Sequence, residues 1–154
     1  MKIQTLKENP QLRTSEKLEA SYTKFSALLN LLKAKELPEK TIAFINEHIE
    51  VIHATDSNEK VLKKKLRKSQ AKILSHLEKE HKIVAKNHYR NMWMAIGMTV
   101  FGIPMGAAFG LSLGNMGLLG VGLPIGSAIG MAVGTAMDKR ALADKLQIDF
   151  EINV

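Results

Sequence analysis

Up to Arg90 apolar residues recur at three- and four-residue intervals; beyond it charge disappears for almost fifty positions. Leu18, Tyr22, Phe25, Leu29 and Leu32 make one apolar face between Ser15 and Lys35, which predicts a first helix. Pro38 suits the first turn of a second helix, where its missing N–H costs nothing. Ile42, Ile45, Ile49 and Ile52 form the stripe that this helix buries. Asp56 with Glu59 three residues on has the spacing of a capping box, so a third helix is expected to begin there. Leu62, Leu66, Ile73, Leu77 and Val84 give its apolar face. Lys65, Lys68, Lys72, Lys79, Lys82, Lys86 and Arg90 give a basic face at the same spacing. No Gly or Pro lies between Asp56 and Ile96, so the expectation is one long helix running into the apolar region. Unbroken to Pro104, it would be on the order of 70 Å long.

The uncharged window from Met92 to Met137 is about twice the length of one membrane-spanning helix. Gly114-Asn115 at its middle supplies a turn, giving expected spans at 92–113 and 116–137. His88 and Arg90 precede the first span and Lys139 and Arg140 follow the second, while the turn carries no charge. The positive-inside rule then puts both termini in the cytoplasm. Tyr89 and Trp93 are placed at the interface, where amphipathic aromatics are favoured. The opening MKIQTLKENPQLRTSEK has no apolar run, so no secretory signal peptide is expected. Residues 1–14 read as a loosely ordered leader, 15–90 as a basic cytoplasmic helical domain, 91–137 as the transmembrane hairpin and 138–154 as a cytoplasmic tail.

Within the window the chain says nearly the same thing twice, GIPMGAAFGLSLG from Gly102 and GLPIGSAIGMAVG from Gly122. Gly102, Gly106, Gly110 and Gly114 form a groove down one span; Gly122, Gly126, Gly130 and Gly134 form another down the second. Lipid tails are as apolar as leucine, so helix association in a membrane relies on close backbone packing, which glycine permits. Two positions on from the glycines stand Pro104, Ala108 and Ser112, then Pro124, Ala128, Ala132 and Ala136. Two residues are about 200° around a helix, so these small residues lie opposite the glycines. One hairpin satisfies one face per helix. The sequence therefore assigns Ala108, Ser112, Ala128, Ala132 and Ala136 to contacts with another copy, making a homo-oligomer. The two prolines occupy equivalent positions and are expected to bend their helices alike.

This repeated spacing resembles the glycine-zipper membrane proteins, a loose group of channel subunits, pore formers and small bacterial proteins. From about Tyr89 to Leu146, including NMGLLGVGLPIG and AMDKRA, the chain is similar to the small bacterial members without assigned function. The resemblance covers roughly the last two-fifths of the chain and implies an inner-membrane hairpin. It is specific for close helix packing and implies no activity.

The net charge of +7 is concentrated in the first part: nineteen of 22 Lys and Arg precede Asn91, and all eleven Gly lie within the uncharged window. With no Cys, neither a disulfide nor a thiolate site is available. Two Glu-x-x-His pairs, Glu50 with His53 and Glu78 with His81, have the spacing used in di-iron bundles, but sit among polar residues and lack the further inward glutamates. They read as solvated faces, and no metal or cofactor is expected. The run Lys60–Lys72 carries seven bases and no acid; without interleaved aromatics it does not read as a nucleic-acid site. Anionic lipid headgroups suit the basic set better, with Lys82, Lys86, Arg90, Lys139 and Arg140 nearest the bilayer. The spans hold no Asp, Glu, Lys, Arg or His for a proton relay, and their polar inventory of Thr99, Ser112, Asn115, Ser127 and Thr135 would at most line a narrow and largely apolar path. No catalytic set or phosphate loop is recognisable, and no enzyme activity is expected.

The tail QIDFEINV alternates, with Ile148, Phe150, Ile152 and Val154 on one side, which is a strand period. A lone strand is unstable, so it is expected to pair with another subunit's tail or another protein, or to lie as a single layer on the helices. The fold expected is all-α: a helical domain, a long helix entering the bilayer and a glycine-zipper hairpin. The function expected is that of a homo-oligomeric membrane scaffold or interaction module, with an oligomeric channel or pore-forming effector as the alternative.

Overall fold

A computed structural model describes residues 2–7, 15–55 and 58–151. The chain divides into two compact units, Met1–Ile83 and Val84–Val154. In the first, α1 spans Glu16–Lys33, α2 Glu39–His53 and α3 Glu59–His81, and α3 packs against both of the others. Leu18, Phe25, Leu28, Leu29 and Leu32 of α1 meet Ile45, Ile49 and Ile52 of α2 and Leu62, Leu66, Ile73 and Leu77 of α3 in a sealed core. Each such side chain contributes about 1.5–3 kcal/mol by leaving water. Thr41, buried on α2, ties it to the end of α3 through a 2.7 Å hydrogen bond between its hydroxyl and His81 Nε2.

The start of α3 differs from expectation. Asp56 lies outside the described residues, and the N-cap is Asn58, whose side chain accepts from the Lys60 N–H. Glu59 instead accepts a 2.6 Å hydrogen bond from the Ser15 hydroxyl at the start of α1.

The end of α3 overturns the long helix. It stops at His81, Lys82 turns left-handed at φ 57°, and the Ile83 N–H reaches back to the Leu77 carbonyl. A short strand β1, Val84–Lys86, follows, and Asn87 is again left-handed at φ 60° before the next helix. The cause is a competing partner. Val84 and Ala85 pair in parallel with Gln147 and Ile148 of β2, Gln147–Glu151, and a bulge shifts the register so that Lys86 faces Glu151. Ile83, Val84, Ala85, Ile148 and Phe150 are all buried. The strand read from the tail is therefore present, but its partner is this chain's own residues 84–86. Ile152 and Val154 lie outside the described residues.

Between the strands runs a helical hairpin, the crossover that a parallel pair requires. Its first arm is α4, His88–Gly97, a π-helical turn, Met98–Gly102, and α5, Ile103–Ser112. The second is a 3-10 turn, Met116–Leu118, leading into α6, Leu119–Ala143. The turn falls where the sequence put it. Gly114 takes φ 65°, with N–H bonds from Gly114 to Leu111 and from Asn115 to Gly110 closing a Schellman end. The Asn115 side chain then accepts from the Gly117 N–H and starts the return. At the foot of α6 a second Schellman end, with Lys145 left-handed, reverses the chain into β2.

Candidate functional site: the glycine seam

The arms are long and apolar enough to cross a membrane: His88–Ser112 has 25 residues and Met116–Ala143 has 28. At 1.5 Å per residue both exceed the roughly 30 Å hydrocarbon layer. Only 22% and 17% of their apolar stretches are buried, unlike a core helix wrapped by protein. Val100, Phe101, Ile103, Phe109, Leu111 and Val121 stand exposed. Contiguous apolar surface of this kind marks a lipid or protein contact.

What is buried is glycine. Gly97, Gly102, Gly106 and Gly110 on the first arm and Gly122, Gly126, Gly130 and Gly134 on the second are each buried at the seam. A Cβ on Gly106 would sit 2.5 Å from the Leu119 carbonyl oxygen, and one on Gly122 would sit 2.5 Å from the Gly106 nitrogen. A Cβ on Gly126 would meet the Gly97 carbonyl, and one on Gly130 the Trp93 carbonyl. At Gly134 the obstacle is the Tyr89–Arg90 backbone, with Arg90 Cα at 2.5 Å. Apart from Gly110, backbone faces backbone along the seam, so nothing at these positions can swing aside. At Gly110 the neighbours are the turn itself, Met116 Sδ at 3.3 Å and the Asn115 carbonyl at 3.4 Å.

Two glycines fall differently from the sequence expectation. Gly114 serves the turn, and a Cβ there would have nothing within 4 Å. Gly97, which the four-residue repeat omits, lines the seam. It stands five residues before Gly102, and five α-helical residues turn about 500°, some 140° off the face. The wider π-helical turn at Met98–Gly102 absorbs the extra residue and brings both glycines to the same side. Pro104 lies just beyond; it offers no N–H to the Val100 carbonyl four residues back, and its ring crowds that group. Pro124 instead lies inside an unbroken α6, with Gly120 four residues before it. The two prolines therefore do not sit in matching backbone.

The opposite small stripe, Pro104, Ala108 and Ser112 with Pro124, Ala128, Ala132 and Ala136, is exposed in the single chain. Of the residues able to hydrogen-bond, Thr99 and Ser127 return their hydroxyls to carbonyls of their own helices.

One residue at the foot of the seam escaped the sequence reading. Asp138, 7% exposed, accepts hydrogen bonds from the Tyr89 N–H at 3.1 Å and the Arg90 N–H at 2.9 Å. Asn87 makes no side-chain cap, so the carboxylate of α6 caps α4 from across the hairpin. A negative charge at a helix N-terminus is favoured both by the free N–H groups and by the helix dipole. The AMDKRA stretch contained the signal, a lone acid beside Lys139 and Arg140, but nothing in it named the partner.

The basic residues assigned to headgroups do not share one helix face, because the helix that would align them is broken. Lys82 is the left-handed cap of α3. Lys86, on β1, pairs with Asp149 at 3.4 Å and Glu151 at 3.7 Å, and such exposed pairs are worth at most about 1 kcal/mol. Arg90 is in the first turn of α4, and Lys139 and Arg140 are exposed in the last turns of α6. Among the described residues no group of three or more His, Cys, Asp or Glu is gathered as a metal site would require. Of the Glu-x-x-His pairs, His81 is bonded to Thr41, and Glu50 and His53 hold the N-terminal segment described below.

No protein-family model, no curated protein and no solved structure matches this chain.

Proposed function

We propose that this protein is a small integral membrane protein whose hairpin self-associates, acting as a homo-oligomeric scaffold or interaction module in the bacterial inner membrane. The carrying observation is the division of surfaces on the hairpin. Its seam glycines are consumed by the opposite arm, while the small stripe on the other side and the large apolar residues between remain exposed. In this reading the large side chains meet lipid and the small stripes of neighbouring copies meet each other, since close packing is what associates helices in lipid. Arg90, Lys139 and Arg140, grouped at the hairpin's foot, meet anionic headgroups, and both termini lie in the cytoplasm.

The protein is expected to remain with membranes through carbonate extraction. Cysteine introduced at Asn115 should be labelled from outside intact cells, and at Asp144 only after lysis. Recovery as a soluble monodisperse monomer removes the membrane reading; the reverse labelling pattern overturns the topology. Self-association has its own measurement, the mass of the detergent-extracted complex. Ala128→Leu and Ala132→Leu should lower that mass while leaving the hairpin folded, and an unchanged mass sinks the small-stripe interface. Ion flux through reconstituted vesicles would favour a channel over a scaffold.

A further inference from the structure

Residues 2–7, expected as part of a loose leader, lie extended along α2 and are held by three side chains on one face of it. Asn46 meets the arm with both ends of its amide: Oδ1 accepts from the Gln4 N–H at 2.9 Å, and Nδ2 donates to the Lys2 carbonyl at 3.0 Å. One turn on, Glu50 accepts a longer contact from the Gln4 side chain at 3.4 Å. Three residues further, His53 Nε2 accepts from the Lys7 N–H at 3.0 Å. From α1, the Tyr22 hydroxyl donates to the Lys7 carbonyl. Positions 46, 50 and 53 follow helical spacing, and the arm's bonded residues, 2, 4 and 7, advance with them. Asn46 is 4% exposed, and a buried amide is costly unless hydrogen-bonded, so the arm completes the packing of α2.

These contacts differ in one respect. The Asn46 amide and the Tyr22 hydroxyl keep the same hydrogen-bonding form across the ordinary pH range, whereas a histidine nitrogen accepts an N–H only while it is neutral. We propose that Asn46, Glu50 and His53 form a latch that holds the N-terminal arm at neutral pH and releases it when His53 takes up a proton. Release bares Ile3 and Leu6 and removes the wall that Lys2 and Ile3 give to a cavity of about 550 Å³ floored by Leu32, Leu37 and Ile42. Burial disfavours the charged imidazole most, and Lys7 on the arm adds repulsion, while Glu50 on α2 opposes both; the balance sets the folded value below the ordinary 6.5. The sign follows. The docked arm is favoured in full above 6.5, loses that advantage as pH falls toward the folded value, and has none of it below.

Amide hydrogen exchange on the full-length protein tests this, with each rate normalised to its intrinsic value at that pH. Gln4 and Lys7 should be protected at pH 7.5, and the Lys7 protection should fall roughly tenfold by pH 5, the scale of one lost hydrogen bond to a charge-sensitive acceptor. His53→Gln keeps an acceptor that does not titrate, so its protection should persist at pH 5. Asn46→Ala should lose protection at both values, with Ile49 and Ile73 amides reporting that the helices stay folded. His48 also titrates in this unit, pushed down by burial and by Lys72 and His76 against Glu47, but it faces Phe44 rather than the arm. In the wild type, arm release must therefore track the titration of the His53 ring followed by NMR. A fall shared equally by wild type and His53→Gln, an arm unprotected at pH 7.5, or release that does not track His53 overturns the proposal.

Discussion

Gly130→Ala and Gly120→Ala, the same single methyl added ten residues apart on one helix, should shift stability in opposite directions. At Gly130 the methyl meets the Trp93 carbonyl, a backbone atom fixed by α4, so the arms must spread to admit it. Overpacking of this kind costs about 1–3 kcal/mol, and rigid backbone on both sides puts the expected loss at the upper end. At Gly120 nothing lies within 4 Å of the added carbon, and alanine is favoured over glycine within a helix by about 0.8–1 kcal/mol. Thermal unfolding of the detergent-solubilised protein reads both, at roughly 2–4 °C per kcal/mol for a chain of this size. Gly126→Ala should behave as Gly130→Ala does, because its methyl meets the Gly97 carbonyl. If Gly130→Ala proves neutral, the two arms do not approach along the seam described here.

Asp138→Ala should be strongly destabilising. It strips the acceptor from two α4 N–H groups at a site only 7% exposed, leaving both unsatisfied. The expected loss is about 2–3 kcal/mol, above an ordinary exposed cap because the bonds are charge-assisted and water does not replace them. Asp138→Asn keeps one acceptor oxygen but turns an amide N–H₂ toward a donor, so it should recover less than half of that loss. Local exchange separates this from general damage: the Tyr89 and Arg90 amides should lose protection in both variants, while Gly122 and Gly126 should keep theirs. Wild-type stability in Asp138→Asn would show that the carboxylate is not the cap.

Much of this architecture is written in residue spacing. The stripes of α1 and α2, the Gly114-Asn115 turn and most of the seam follow from periods of three, four and seven, because burial selects the same periodicity that a reader sees. Four features are not written that way. Val84 falls on the apolar face of an extended α3, so only the competing strand at Gln147–Glu151, more than sixty residues away, makes it a strand instead. The stop at Lys82 uses a left-handed residue other than glycine that carries no mark in the sequence, and at Asn87 the only mark is a residue type that tolerates the same conformation. Gly97 sits off the four-residue beat and joins the seam only because the backbone changes its own period there. Glu50 and His53 look like a solvated face, since their partners, the Gln4 side chain and the Lys7 N–H, belong to a segment with no pattern to read.

The π-helical turn sets a rule for how the hairpin can change over generations. The first arm spends one residue more than the second to present its glycines at the same heights, so the two arms are matched in contact levels but not in length. A single codon lost between Met98 and Phe101 would leave Gly97 four residues from the next seam glycine, so the first arm could become plain α-helix with Tyr89, Trp93 and Gly97 still facing Gly130 and Gly134. A single indel elsewhere in either helix has no wide turn to remove and rotates every residue on one side of it about 100° off the seam, so the π-helical turn is where this hairpin can change its length by one residue.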